Sequence, residues 1–412
     1  MKKPVLWTRN FTLLTTATVL GCAGGVASSF ALSFLVFEET GSTLAAAFLM
    51  AMQLVPRFLV PIVAAPIMDR FPRKPFLVAG DAINGVLYAL AGWHLLGSEF
   101  SYTLYLAFSL LLSTLGSFDE LAYGALYPNL IPEGCEQKGY AVSGTLYPVV
   151  NVLMAPVAAL LYQKVGVAVI LLLQAALSLA ASAVESFIRM EEKNRMDGEK
   201  FSLHMWRSDL LDAVRYLKGD KGLRSIYSYM AITNGLSMYS PLLVAFFSTT
   251  PGLNAVMYSA FSVAEFAGRT LGGVFHYHRE IPRKKRFSFA FFVYLCYNVM
   301  DMILLWIPYG AMLINRAAVG FLGVNSASLR EAAVQKYIPD EYRAKLNGFF
   351  GMLVSLACSV CSLLIGALGE VMDYRLCITL CGLLGGAACM LTIWRRRDAV
   401  RDIYQQEENT QR

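Results

Sequence analysis

Charge is scarce in this sequence. Only 16% of its 412 residues are charged, against about 25% in a soluble domain, which leaves too little polar surface to cover a globule in water. A framework for metal or redox chemistry is also lacking. There are eight cysteines, but the one close pair, Cys358 and Cys361 in C-S-V-C, lies in an apolar helix with no histidine or second pair nearby. These cysteines read as small packing residues. The sequence contains no G-x-x-x-x-G-K-S/T loop, so ATP drive within the chain is not expected, and it has neither a nucleophile elbow nor a metal-ligand helix. No cofactor, metal or enzymatic activity is expected. The net charge of +6 would suit nucleic acid, but its distribution has a simpler explanation, and no nucleic-acid partner is expected.

What the sequence has in abundance is apolar length. Apolar residues make up 56% of the chain and the mean hydropathy is +0.51. They come in blocks of about twenty or more, enough at ~1.5 Å per residue to cross a ~30 Å hydrocarbon core. The first block, 11–37, is longer than the apolar part of a cleavable signal peptide, ~7–15 residues, and reads as a retained span. Charged or turn-rich breaks delimit twelve spans, at 11–37, 43–68, 76–97, 102–127, 139–163, 166–189, 222–249, 252–275, 287–307, 310–333, 345–371 and 374–394. The expected fold is an all-α integral membrane protein.

Twelve spans put both termini on one side, and the basic residues say which. Of 35 Lys and Arg, 30 fall on the face that holds the termini and the breaks near 70, 133, 205, 282 and 338, while only Lys164 and Arg375 fall on the other. Cytoplasmic loops carry the Lys/Arg excess, so both termini are expected in the cytoplasm and the protein in the cell (inner) membrane. Residues 190–221 form the one long polar interruption, between bundles at 1–189 and 222–394, and 395–412 form a tail. Within that interruption Leu203, Trp206, Leu210, Val214 and Leu217 recur at helical steps. They predict an amphipathic linker helix on the inner interface, with a regulatory docking site as the alternative.

The two halves echo each other. F-P-R-K at 71–74 returns as I-P-R-K at 281–284, and L-I-P-E-G-C-E-Q-K-G-Y-A-V-S-G-T-L at 130–146 aligns with Y-I-P-D-E-Y-R-A-K-L-N-G-F-F-G-M-L at 337–353. Both offsets are near half the chain length, which fits two pseudo-symmetric six-helix bundles with a substrate path between them at the membrane midplane.

On this pattern the chain resembles the major facilitator superfamily over essentially its whole length. The stretch A-P-I-M-D-R-F-P-R-K at 65–74 is similar to the family's Gly-x-x-x-Asp-Arg-x-Gly-Arg-Arg/Lys loop between its second and third helices. Asp69, Arg70, Arg73 and Lys74 match, while Ala65 and Pro72 replace the two glycines. The resemblance implies a cytoplasmic gate at this loop, with Asp69 pairing with basic groups or a helix N-terminus; the plainer alternative is that the basic residues serve topology alone. E-T-G-S-T-L at 39–44, Q-L-V-P-R-F at 53–58 and D-L-L-D-A-V-R-Y-L at 209–217 resemble the macrolide-efflux and enterobactin-exporter-like branch.

Ionisable groups inside spans are expensive and need a partner or a task. Glu265 and Arg269, four apart, share a helix face. Either they form a structural pair, or Glu265 exchanges a proton while Arg269 contacts substrate. Asp119 and Glu120 lie in the fourth span, which lines the cavity in this family. They are candidates for proton coupling, with one of the two expected to face the path; the alternative is a pair with a loop arginine. Asp301 and Arg316 fall at similar depth on neighbouring spans and read as a structural ion pair. Arg57 serves the gate or packing, Glu185 reads as interfacial, and His276 and His278 read as part of a basic loop.

Together these readings predict a secondary transporter working by alternating access. The branch resemblance implies export of a bulky amphipathic compound, drug-like or a natural product, in exchange for protons. The partners are then a small-molecule substrate, the lipid bilayer and protons, with a monomer as the default. The alternatives are a metabolite or siderophore transporter, a lysolipid transporter, or a non-transporting membrane enzyme or assembly factor.

Overall fold

The computed structural model describes residues 5–68, 72–132, 135–189, 203–278 and 281–405, and every regular element among them is helical. The helices α1 (Arg9–Thr40), α2 (Thr43–Met68), α3 (Lys74–Gly97) and α4 (Tyr102–Leu130) each supply one pass. The next, α5 (Glu136–Ser186), has 51 residues, about 75 Å of helix, and so holds two passes. They join at Gly166, where φ is 78° and ψ is 171°, a conformation open to glycine and strained for a residue with a Cβ. After α6 (Leu203–Gly219), α7 (Lys221–Leu236) and α8 (Ser240–Thr249) together make the seventh pass. The remaining passes are α9 (Ala255–His278), α10 (Arg283–Ile303), α11 (Tyr309–Tyr337), α12 (Asp340–Val371) and α13 (Tyr374–Ala388, continued by a π-helical segment, Cys389–Trp394), and α14 (Arg397–Tyr404) follows them. The fold is the twelve-helix membrane bundle of two pseudo-symmetric halves.

Eight helical stretches are long and apolar enough to cross a membrane on composition alone, the doubled α5 among them, and α2 is apolar over Thr43–Arg57. The passes α9 and α11 fall short of that measure because they carry Glu265, Arg269 and Arg316. Their low hydropathy is therefore itself a pointer to the groups described below.

One compact unit comprises Met1–Phe201 with Phe247–Ser259. Its spine is α5, which packs along α1 and α3, while α2 packs on α4. Thr8 caps α1, its hydroxyl accepting from the Phe11 N–H. Apolar clusters fill this unit, and two of them flank its polar interior. One gathers Phe11, Leu14, Leu77, Ala122, Leu126 and Ile188; the other gathers Ala27, Ala31, Ala91, Tyr105, Phe108 and Ile170. On each of α1, α3, α4 and α5 the residues between these clusters are different in kind, and that interval holds the first cavity.

The second unit comprises Ser202–Phe246 with Ala260–Arg412. Its largest core includes Ala213 and Leu217 of α6, Tyr227 and Tyr229 of α7, Phe287 of α10, and Val400, Ile403 and Tyr404 of α14. The helix α6 is tied down by the Lys345 ammonium, 3.2 Å from Asp212 Oδ2, and by Tyr216 against Tyr342. The last helix is anchored by a buried hydrogen bond of 2.8 Å between the Tyr404 and Tyr294 hydroxyls. Burial, with Tyr294 close by, pushes the Tyr404 phenol well above its ordinary pKa. At the crossing of α9 and α11, a Cβ on Gly268 would collide with the Ala317 carbonyl oxygen and one on Gly320 with that of Glu265. Glycine at both positions lets the two backbones touch.

Candidate functional site

Each unit holds a polar cavity within its own helices. That of the second unit, about 550 Å³, is lined by Glu265 and Arg269 from α9, by Tyr294, Tyr297 and Asp301 from α10, by Arg316 from α11 and by Tyr229 and Asn234 from α7. Two ion pairs face it with opposite characters. Arg269 donates through Nε at 3.0 Å and Nη2 at 2.7 Å to Glu265 Oε1, and its side chain is 58% exposed. Arg316 donates from Nη2 to Asp301 Oδ1 at 2.8 Å, and its side chain is only 9% exposed.

The buried pair is the centre of a network. Tyr239, in the break between α7 and α8, donates its hydroxyl to Asp301 Oδ1 at 2.8 Å and accepts from Arg316 Nη1 at 3.3 Å. Asn315 Oδ1 accepts from Arg316 Nη2 at 3.3 Å, and the amide of Asn315 donates to the Met300 carbonyl at 2.9 Å. A buried pair of charges needs this kind of additional hydrogen bonding to offset its desolvation. The exposed pair needs none, and its groups are free to exchange partners with a ligand.

The first unit's cavity, about 350 Å³, is acidic. Asp81 from α3, Asp119 and Glu120 from α4, and Glu185 from α5 line it, with Arg57 from α2 and Cys22 from α1. It lies in the interval between the two apolar clusters: after Leu14 and before Ala27 on α1, between Leu77 and Ala91 on α3, and between Ile170 of α5 and Ile188 just past its end. Apolar packing thus bounds the charged interval on each of these helices. Asp119 Oδ1, which packs over Gly80, and Glu185 Oε2 are buried and have no hydrogen-bond partner. Among the described residues no acid here has an ion pair within 4.0 Å: Lys74, the nearest base in sequence to Asp81, donates to the Ser186 carbonyl at 2.8 Å.

The structure thus pairs Glu265 with Arg269 and Asp301 with Arg316, and sets Asp119, Glu120 and Arg57 around one cavity. Both members of the Asp119–Glu120 pair line the cavity, Glu120 being the exposed one, where the sequence alone suggests that one faces it. Glu185, which sequence reading puts at the interface, is turned inward and 5% exposed. Asp69 and Arg70 of the expected gate lie outside the described residues, and Arg73 stands at the N-cap of α3. Sequence reading missed Asp81 and Tyr239. Asp81 had a signal: it is an acid inside an otherwise apolar pass, about two helical turns from Lys74. Tyr239 had none, because its role depends on the break between α7 and α8. Among the described residues no group of three His, Cys, Asp or Glu is placed to hold a metal ion.

No curated protein matches the chain by sequence. Among solved structures, that of the nucleoside transporter NupG is similar with a TM-score of 0.69 and 12% identity, over 94% of this chain and 99% of its own. That of a POT family transporter in complex with 5-aminolevulinic acid is similar with a TM-score of 0.70 and 10% identity, over 95% and 96%. At such identities the likeness is one of fold. The sequence profile of the Major Facilitator Superfamily matches residues 13–308 and 299–411. On that match, and on its twelve-pass helical fold, the chain belongs to the Major Facilitator Superfamily and is a multi-pass membrane transporter.

Proposed function

We propose that this protein is a secondary active transporter of the inner membrane that exports a bulky amphipathic organic compound in exchange for protons. The observation that carries this reading is the acidic cavity of the first unit, where the buried oxygens Asp119 Oδ1 and Glu185 Oε2 lack partners beside Asp81 and Glu120. Carboxyl groups held between apolar layers inside a membrane are functional sites by default and recur in the proton relays of transporters. In this reading the bundles at 1–189 and 222–394 alternate between inward and outward access, both termini are cytoplasmic, and the loop carrying Asp69, Arg70, Arg73 and Lys74 is the inner gate. The exposed Glu265–Arg269 pair contacts substrate, and the Asp301–Arg316 pair holds the second cavity in shape.

A second reading is favoured by the neutral polar side chains that line the second cavity, Thr233, Asn234, Ser237 and Ser240 among them. They suit a hydroxyl-rich natural product or metabolite. The similar solved structures are named for nucleoside transport and for binding a peptide conjugate and 5-aminolevulinic acid.

The test uses inside-out vesicles carrying the purified protein and an imposed pH gradient. Amphipathic drugs, siderophores, nucleosides and lysolipids are added in turn while proton movement is followed. Proton release on adding amphipathic drugs supports the proposal. Release with nucleosides or siderophores alone supports the second reading, and silence across the panel with folded protein refutes proton antiport of all of them.

A further inference from the structure

The helix α14 lies outside the twelve passes and has no task in the transport cycle, yet it is firmly seated. Val400, Ile403 and Tyr404 are almost wholly buried. A Cβ on Gly222, in the first turn of α7, would meet the Ala399 carbonyl oxygen at 2.6 Å and Ile403 Cδ1 at 2.9 Å, so glycine is what lets α7 and α14 come this close. The Arg401 guanidinium lies over the Phe287 ring, and just past the helix the Gln405 amide donates to the Lys284 carbonyl at 2.9 Å. A helix of eight residues has little stability of its own; these contacts hold it in place.

Tyr404 extends this seat to the second cavity. Its hydroxyl is 2.8 Å from that of Tyr294, and Tyr294 lines the cavity together with Arg330. Arg269 and Arg316 hold the two carboxylates of the cavity, Glu265 and Asp301. Arg330 has no carboxylate partner inside it: its ion pair is a loose one of 3.8 Å to Glu331, whose side chain is 68% exposed and points away from the cavity lining. The Arg330 guanidinium is held instead by a hydrogen bond to Tyr294, with Tyr404 close by. A guanidinium can only donate, so the Tyr294 oxygen accepts from Arg330 and its hydrogen is left for Tyr404. Each bond in such a chain polarises the next and strengthens it. Phenylalanine at position 404 would fill the same space; the hydroxyl is what reaches the cavity wall.

We propose that Tyr404 is a positioning residue for the second cavity: the docked α14 fixes Tyr294 and, through it, the guanidinium of Arg330. This rests on the reading in which the second cavity faces substrate, and it adds a regulatory element to that reading. By linkage, a substrate that engages Arg330 stabilises the docked α14, and any event that frees α14 weakens that substrate by the same factor.

The experiment measures the reactivity of individual arginines in the purified full-length protein in nanodiscs, with phenylglyoxal as the probe and peptide mass spectrometry as the readout. In Tyr404→Phe the rate at Arg330 should rise about fivefold, the equivalent of one hydrogen bond, while Arg269 and Arg316 in the same cavity keep their wild-type rates. Gly222→Ala keeps the Tyr404 hydroxyl but displaces α14 from the side of α7, and it should raise the rate at Arg330 in the same way; it decides the matter should Tyr404→Phe fail to fold. An unchanged rate at Arg330 in folded Tyr404→Phe would overturn the inference. So would an equal rise at all three arginines, which would reduce Tyr404 to a structural anchor. No substrate is needed, so failure here leaves the transport reading standing, and silence in the vesicle test leaves this contact standing.

Discussion

Replacing Asp301 by asparagine separates the two ion pairs of the second unit most sharply. The change is nearly isosteric, but it leaves the Arg316 guanidinium charged in a setting where its side chain is 9% exposed, and it weakens the acceptor for the Tyr239 hydroxyl. At the observed 2.8 Å, Coulomb's law gives about 6 kcal/mol of attraction for an effective dielectric constant of about 20. Desolvation offsets part of the pair's net worth, but removing one partner still costs about 3–5 kcal/mol, because the other stays buried and unpaired. Asp301→Asn should therefore lower the apparent melting temperature in detergent by many degrees. The triple variant Asp301→Leu, Arg316→Met, Tyr239→Phe should recover most of the loss, since neither an uncompensated charge nor an unpaired Tyr239 hydroxyl remains. The assay is the fraction of monodisperse protein after heating, with tryptophan fluorescence as a second probe. Wild-type stability in Asp301→Asn would refute the assignment of this pair as a structural anchor.

The exposed pair should behave in the opposite way. An i,i+4 pair with one member 58% exposed contributes about 0.3–0.5 kcal/mol, so Glu265→Gln should leave melting unchanged while weakening substrate binding; a large loss of stability with binding intact would contradict this. Tyr404→Phe removes the buried hydrogen bond to Tyr294 and should cost about 1 kcal/mol, seen as earlier proteolysis of the C-terminal helix, whereas unchanged proteolysis would show that the bond is not needed. Gly268→Leu should force α9 and α11 apart, because the new side chain starts where the Ala317 carbonyl lies. Its expected result is poor recovery of folded protein, and normal yield with normal melting would count against tight packing at that crossing.

The passes of the fold are legible in the sequence because a membrane imposes a length rule that local composition satisfies almost pass by pass. The boundary inside α5 follows the same logic, since Gly166 and the sheer length of Glu136–Ser186 both call for a break. The charged residues of α9, α10 and α11 are also legible, because an ionisable group in an apolar run is conspicuous. What the sequence hides is which of them converge. Glu185 lies four residues before the polar stretch that starts at Arg189, so it reads as interfacial. The packing of α5 on α3, with Ser182 Oγ donating to the Val78 carbonyl at 2.7 Å, instead turns it into the cavity with Asp81. The Tyr239 hydroxyl meets Asp301 only through tertiary placement across 62 positions of chain, which no local pattern encodes.

Coupling through the carboxylates of the first unit is the central claim, and one measurement meets it directly. Proteoliposomes holding wild-type protein or the Asp119→Asn, Glu185→Gln double variant are given the same pH gradient and the same labelled substrate. The wild type should accumulate substrate against its concentration gradient, while the variant should at most equilibrate it. Full pH-driven accumulation by the double variant would contradict the account and move the coupling to other residues, Glu265 first among them.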